Sequence, residues 1–425
     1  MRLPQPSACR RAWSSTRKVP CTSLTWATGR SARSSSAEND AVPLPIYLDY
    51  NATTPVAPEV VEAIQPYLFG RFGNPSSSHS YGREAADALA TARHQVARLI
   101  GAHDDEIVFT GNATEANNLA VLGVASAISR LQPNRRRIVT SAVEHPAVAE
   151  PVKHLVSRGW LQTLLPVDAQ GRVDMQSLGE ALGMDTALVS VMHANNEVGT
   201  IQPLAAIAAS ARELGILVHT DAAQSVGKVE VDVQALGVDL LSIAGHKLYA
   251  PKGVGALYVR RGTPIEGIVF GAGQERGLRP GTENVALAVG LGAAAELARR
   301  TLAEFQLQMR RQRDSLHQKL ATAVTGLRLN GDPVDCLPNT LNVSFPRVDG
   351  AALLAAASEV AASTGSACHS ESRELSGVLA AMGVGFEDGR GAVRLSVGRG
   401  TTDDHVDQAA AALVRAWNLL LGNVA

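Results

Sequence analysis

Ser242-Ile243-Ala244-Gly245-His246-Lys247 sets a lysine just beyond an apolar run, Leu240 to Ala244. Five apolar or small residues ending at a glycine suit a buried strand whose C-terminal tip opens into a crevice. In open α/β sheets that tip is where ligands bind. A lysine so placed is either a surface residue opening a turn or, if its site favours the neutral amine, a nucleophile able to form a Schiff base with a carbonyl group. Its neighbours in the fold decide which.

Working outward, similar apolar runs fall at 106–110, 137–141, 161–166, 187–192, 216–220 and 254–260. Helical stretches such as 203–214 separate most of them, long enough for right-handed crossovers. The alternation predicts an α/β fold with a mostly parallel sheet covered on both faces. Asp221, His145, His193 to Glu197 and Thr114 each lie at or just after the C-terminal end of such a run. They should therefore converge on one crevice.

Further helices are expected at 58–68, opened by Pro58, and at 83–101, with a turn-rich loop at 70–81 between them. After a Gly-rich loop at 271–284, a long helix should run from 285 to about 320 with an interruption. A smaller α+β unit follows: strand 339–345, helix 351–360, a loop at 363–370, strand 392–397 and a closing helix at 402–421.

Composition excludes several classes. A net charge of -1 over 425 residues argues against a nucleic-acid binder, and no apolar run is long enough to span a bilayer. Cys9, Cys21, Cys336 and Cys368 have neither CxxC nor metal-ligand spacing, so no disulfide framework and no metal site is expected, and a reducing compartment fits. Residues 1–43 are rich in Arg and Ser, and their first acid is Glu38. They read as a disordered extension or a mitochondrial targeting segment. Pro4, Pro6 and Pro20 weaken any long amphipathic helix there, and the expected compartment is the cytoplasm.

The chemistry begins with Lys247 and Asp221. A carboxylate buried at a strand tip is costly without a cation, and a pyridinium nitrogen would supply one. Lysine for the Schiff base and carboxylate for the ring nitrogen is the pairing with which proteins tune pyridoxal phosphate. His145 could lie against a ring or carry protons. The turn Gly111-Asn112-Ala113-Thr114 before a helix suits either a phosphate or ordinary capping. Cys368 sits in the small-residue loop Ser366-Ala367-Cys368-His369-Ser370, accessible to a reaction partner; Cys336 reads as a buried apolar residue.

In these motifs, together with Tyr47-Leu48-Asp49-Tyr50-Asn51-Ala52-Thr53-Thr54-Pro55, Gly73-Asn74-Pro75, Asn195-Asn196-Glu197-Val198-Gly199, His219-Thr220-Asp221-Ala222-Ala223-Gln224, Gly281-Thr282-Glu283-Asn284 and Arg394-Leu395-Ser396-Val397-Gly398-Arg399, the chain resembles the cysteine desulfurase and selenocysteine lyase family. This is a branch of the class V aminotransferase group of pyridoxal phosphate enzymes. The resemblance runs from about Tyr47 to the C-terminus and implies the type I fold of that group. The implied large cofactor-binding domain is 61–300, and a small domain, 301–425, carries the Cys368 loop. The segment 44–60 would pack with the small domain.

The resemblance also implies roles. Lys247 would hold the cofactor, Asp221 its ring nitrogen and Gln224 its phenolic oxygen, with His145 stacked on the ring and aiding proton transfer. Ala113, Thr114 and His246 would bind the phosphate, and Thr282 the phosphate of a second subunit in a homodimer. Asn196 would help hold cofactor and substrate, Arg394 would take the carboxylate of a small amino-acid substrate, and Cys368 would accept sulfur or selenium. The implied reaction converts cysteine to alanine with a persulfide on Cys368, and a sulfur- or selenium-acceptor protein is the implied partner. A selenocysteine lyase, another pyridoxal phosphate aminotransferase and a non-catalytic scaffold are the competing readings. Two departures stand out: where relatives commonly read Ser-Gly-Ala-Thr or Ser-Gly-Gly-Thr this chain has Gly111-Asn112-Ala113-Thr114, with Asn112 expected to tolerate a left-handed backbone, and Ala244 lacks a hydroxyl for the phosphate. The chain's end at Ala425 is expected to lack the extension of a mitochondrial cluster-assembly desulfurase.

Overall fold

The computed structural model describes residues 44–364 and 375–422. Seven strands build the central sheet: β1 (Ile107–Thr110), β2 (Arg137–Ser141), β3 (Leu161–Leu165), β4 (Thr186–Ser190), β5 (Leu217–Asp221), β6 (Leu240–Ala244) and β7 (Gly255–Val259). Their spatial order is β1-β7-β6-β5-β4-β2-β3. Strands β6, β5, β4, β2 and β3 run parallel to one another, whereas β7 is antiparallel to both β6 and β1. The connection 245–254 holds only a short 3₁₀ turn. A link that short cannot return the chain to the far end of the sheet, so β7 must reverse.

Every residue of β4, β6 and β7 is buried, as expected of strands covered on both faces. Successive side chains feed opposite faces. Leu241, Ile243, Ala256 and Tyr258 join one apolar cluster, while Leu240, Leu257 and Val259 join a second. The second cluster packs beneath the helix Ala113–Leu131 through Ala116, Leu119 and Ala120.

The helix Val285–Ala323 runs 39 residues without the interruption expected from the sequence. Its buried polar residues do not break it because each has a partner. Gln312 Nε2 donates to the Thr401 carbonyl at 2.7 Å, and Arg313 Nη1 to the Leu337 carbonyl at 3.2 Å. The helix passes from the large sheet to a small antiparallel one, formed by β8 (Arg328–Asn330), β9 (Thr340–Ser344) and β10 (Ala392–Ser396) in the order β10-β9-β8.

A second difference lies beside it. The helix expected over 351–360 is Gly350–Ala356, and Val360–Ala361 instead pairs in parallel with Ile46–Tyr47. Pairing with a segment more than 300 residues away in the chain overrides the local helical pattern. The same N-terminal segment continues onto the small sheet: Ser396 donates its backbone N–H to the Leu48 carbonyl at 2.7 Å, and the Asn51 N–H reaches Ser396 Oγ at 3.0 Å.

The loop before the long helix is fixed by a buried ion pair. Glu275, 8 % exposed, accepts from Arg93 Nη1 at 2.8 Å, Arg93 Nη2 at 2.5 Å and the Phe109 N–H at 2.8 Å. Glu275 and Arg276 both adopt left-handed backbone, with φ of 46° and 60°. Removing the arginine leaves a buried carboxylate unpaired. Arg93→Met is therefore expected to lower unfolding free energy by about 3–5 kcal/mol in urea titration. A loss below about 1 kcal/mol would mean the pair carries no structural weight.

Candidate active site

The C-terminal ends of β2, β4, β5 and β6 surround a cavity of about 230 Å³, lined by His145, Asn196, Asp221, Gln224, His246 and Lys247, with Asn112, Ala113, Thr114 and Asn117 from the opening of the helix Ala113–Leu131. Parallel strands put all their C-terminal tips on one edge, and this is the physical reason residues 145, 196, 221 and 247 meet.

Asp221 is 6 % exposed. Its Oδ2 accepts from Asn117 Nδ2 at 2.7 Å and its Oδ1 from the Ala223 N–H at 2.9 Å. It makes no salt bridge among the described residues, and these two hydrogen bonds come from neutral donors. Behind it, His219 joins three neighbouring strands: Nδ1 meets Ser190 Oγ at 2.8 Å and Nε2 meets Ser242 Oγ at 3.0 Å. Burial pulls the His219 pKa down to about 4, with Asp221 opposing, so the ring is neutral at physiological pH.

Lys247 opens into the cavity from the turn after β6. Burial brings its pKa down to about 8; Asp221 and Asp49 oppose that shift and Arg394 adds to it. His246 binds Thr53 Oγ1 through Nδ1 at 3.1 Å, and burial followed by the Lys247, Lys252 and Lys228 charges depresses it to about 4. His145 caps the next helix: its Nδ1 accepts from the Ala147 N–H at 3.1 Å. Burial lowers its pKa, Asp221 opposing. A neutral ring with Nδ1 accepting must carry its proton on Nε2.

The backbone at Asn112 is extended, with φ of -176°, so the left-handed conformation expected there is absent. Asn serves instead as the helix cap, its Oδ1 accepting from the Glu115 N–H at 2.8 Å. A Cβ on Gly255 would lie 2.7 Å from the Asn112 carbonyl carbon, so this strand position admits only glycine without a shift. Glu115, an acid in this first turn, is tied to Arg279 at 2.9 Å. That pairing leaves the positive end of the helix available to an anion.

Arg394, 3 % exposed, donates Nη1 to the Asn196 carbonyl at 2.9 Å and Nη2 to Asp49 Oδ1 at 2.8 Å. It is thus joined to the cavity through Asn196 rather than lining it. Thr282 lies on the loop before the long helix and does not line the cavity. Cys368 lies outside the described residues.

Three residues of the site receive no role from the sequence motifs, although Glu144 stands in one of them, Glu144-His145. Asn117 lies one helical turn after Thr114, and its signal is a polar residue among Ala116, Leu119 and Ala120. Lys228 is buried, its Nζ 2.9 Å from both Asn51 Oδ1 and Gln224 Oε1. Burial raises Glu144, beside His145, to about 8 despite hydrogen bonds from Ser141 Oγ and the Met192 N–H, so it is largely protonated at neutral pH. Nothing in the local sequence marks Lys228 or Glu144 as buried.

The donor set fits pyridoxal phosphate. A buried carboxylate that makes no salt bridge among the described residues suits a pyridinium nitrogen, a capped helix N-terminus suits a phosphate, and a lysine of lowered pKa suits a carbonyl carbon. Fold and site together define a pyridoxal-phosphate-dependent enzyme.

Comparison with known proteins narrows this. The aminotransferase class-V family pattern matches residues 46–409. The cysteine desulfurase IscS of Dictyoglomus turgidum is 46% identical over 364 residues, 85% of this chain and 92% of its own. The cysteine desulfurase of Rattus norvegicus is 44% identical over 375 residues, 87% of this chain and 82% of its own. A solved NifS-like protein superposes with a TM-score of 0.82 at 36% identity, covering 90% of this chain and all (100%) of the other. The chain belongs to the class-V aminotransferase family. It is an enzyme of that family and depends on pyridoxal phosphate.

A lysine must be neutral to attack a carbonyl carbon. With the Lys247 pKa near 8, cofactor attachment to cofactor-free protein should quicken about tenfold per pH unit below that value and level off above it. Stopped-flow absorbance checks this; a rate still climbing past about pH 10 would mark an ordinary, unperturbed lysine.

Proposed function

We infer that the protein is a cysteine desulfurase: L-cysteine and the thiol of Cys368 give L-alanine and a persulfide on Cys368. The observation that carries this reading is the meeting of Lys247, Asp221 and His145 in one cavity, in a chain whose relatives are named cysteine desulfurases. Those names favour sulfur over the selenium alternative.

The cofactor supplies an electron sink for the pair released at the substrate's Cα. Lys247 would hold it covalently, Asp221 would face its ring nitrogen and Gln224 its phenolic oxygen, while His145 would cover the ring. Ala113, Thr114 and His246 would hold its phosphate; Ala244, with no hydroxyl, contributes only shape. Arg394 would take the substrate carboxylate, sharing its guanidinium with Asp49, and the Asn196 carbonyl helps fix that guanidinium. Once displaced by the substrate amine, the Lys247 Nζ is free to take the Cα proton. The Cys368 thiolate then attacks the substrate Sγ: an S–S bond forms, the Cβ–S bond breaks, and Cβ gains a proton.

The large unit 61–300 would bind cofactor, and 301–425 would bring the Cys368 loop to it, with 44–60 joining the two. A homodimer is supported by exposed apolar residues, Leu68, Phe69, Phe72 and Tyr81 near one another in the chain and Phe270 at the head of the loop bearing Thr282. Thr282 would serve the partner's phosphate site. The persulfide would pass to a sulfur-acceptor protein. Among the described residues no helix is long and apolar enough to cross a membrane, and we place the enzyme in the cytoplasm, with a mitochondrion as the alternative raised by residues 1–43.

Alanine release from L-cysteine and from L-selenocysteine, measured in parallel, tests the reading. Cys368→Ala should keep the visible absorbance of bound cofactor and lose cysteine desulfuration by at least about a hundredfold, as expected for a removed nucleophile. Lys247→Ala should lose both. Full cysteine turnover by Cys368→Ala would overturn the persulfide step, and alanine from selenocysteine alone would overturn the sulfur assignment.

A further inference from the structure

Lys228 is 4 % exposed, yet no carboxylate pairs with it among the described residues. A buried lysine is costly, so its presence behind Gln224, which lines the cavity, calls for a reason. Its Nζ hydrogens go to two side-chain amides, Asn51 Oδ1 and Gln224 Oε1, both at 2.9 Å.

We propose that Lys228 is a positioning residue that fixes which way the Gln224 and Asn51 amides face, so that Gln224 presents a hydrogen-bond donor to the cofactor. The reasoning is one of donor count. An amide side chain has an oxygen end and a nitrogen end of nearly equal shape, and only its partners decide between them. Lys228 donates to both, so each must turn its oxygen toward it. Gln224 Nε2 then points the opposite way. One of its hydrogens goes to the Asn51 carbonyl at 3.1 Å. The other remains for the cavity that Gln224 lines.

The same logic fixes Asn51. Its Oδ1 also accepts from Asn339 Nδ2 at 2.9 Å, so its Nδ2 must donate, to Thr340 Oγ1 at 2.8 Å and the Asn196 carbonyl at 3.4 Å. That carbonyl is the one held by Arg394. A single buried amine thereby orients the amide on the cofactor side and the amide that borders Arg394.

The inference rests on the reading that the cofactor lies against Gln224. Loading of the wild-type protein, followed by its visible absorbance, tests that reading separately. The positioning role is tested by a double-mutant cycle on cofactor release from the holoenzyme, with Lys228→Met, Gln224→Ala and the pair. Each single change should speed pyridoxal phosphate loss about tenfold, the worth of roughly one hydrogen bond, and the double should be no worse than Gln224→Ala alone. Wild-type retention in Lys228→Met, or effects that multiply in the double, would overturn the proposal. If Lys228→Met does not fold, Gln224→Glu keeps an acceptor on Lys228 but has no amide hydrogen for the cavity. About tenfold faster release at wild-type Tm supports the role, and unchanged release overturns it.

Discussion

A carboxylate buried at the tip of β5 is the constraint on which the site depends. Asp221 accepts hydrogen bonds from neutral donors, Asn117 and the Ala223 backbone, and makes no salt bridge among the described residues. In a low-dielectric setting such an arrangement suits a positive ligand atom. The surrounding groups follow from it. His219 and His193 behind the carboxylate are driven to about 4 by burial and so add no competing charge. Lys247 is brought down to about 8, within reach of its neutral form.

The second constraint is the union of two sheets. The N-terminal segment pairs with Val360–Ala361, crosses onto β10 and ends at Asn51, which touches Lys228 from the large-sheet side and Asn339 and Thr340 from the small-sheet side. Arg394 on β10 reaches Asn196 after β4 through the same junction. Substrate-side and cofactor-side groups thus share hydrogen-bond partners. A shift between the sheets would disturb both at once.

Much of this was legible beforehand. The apolar runs gave strands within one or two residues of those observed, and β2 and β6 match their expected limits. Asp221, His145 and Lys247 were readable as neighbours because parallel strands align their C-terminal ends. Where local pattern misled, a distant partner was responsible: Val360–Ala361 left a helical pattern to pair with Ile46–Tyr47, and Gln312 and Arg313 found acceptors that kept the long helix whole. At Asn112 the reason changed, from backbone tolerance to capping.

By itself, the sequence determined the alternation of strand and helix, and with it the edge on which Lys247, Asp221 and His145 meet, because side-chain periodicity and crossover length are local properties. Only the tertiary structure decided that Asn117 supports Asp221, that Lys228 sits between Asn51 and Gln224, and that Glu144 is buried enough to stay protonated. Each of these depends on burial or on a partner brought from elsewhere in the chain, 104 residues away for Asn117 and 177 for Lys228. A buried polar group takes its meaning from the partner that satisfies it, and no local pattern names that partner.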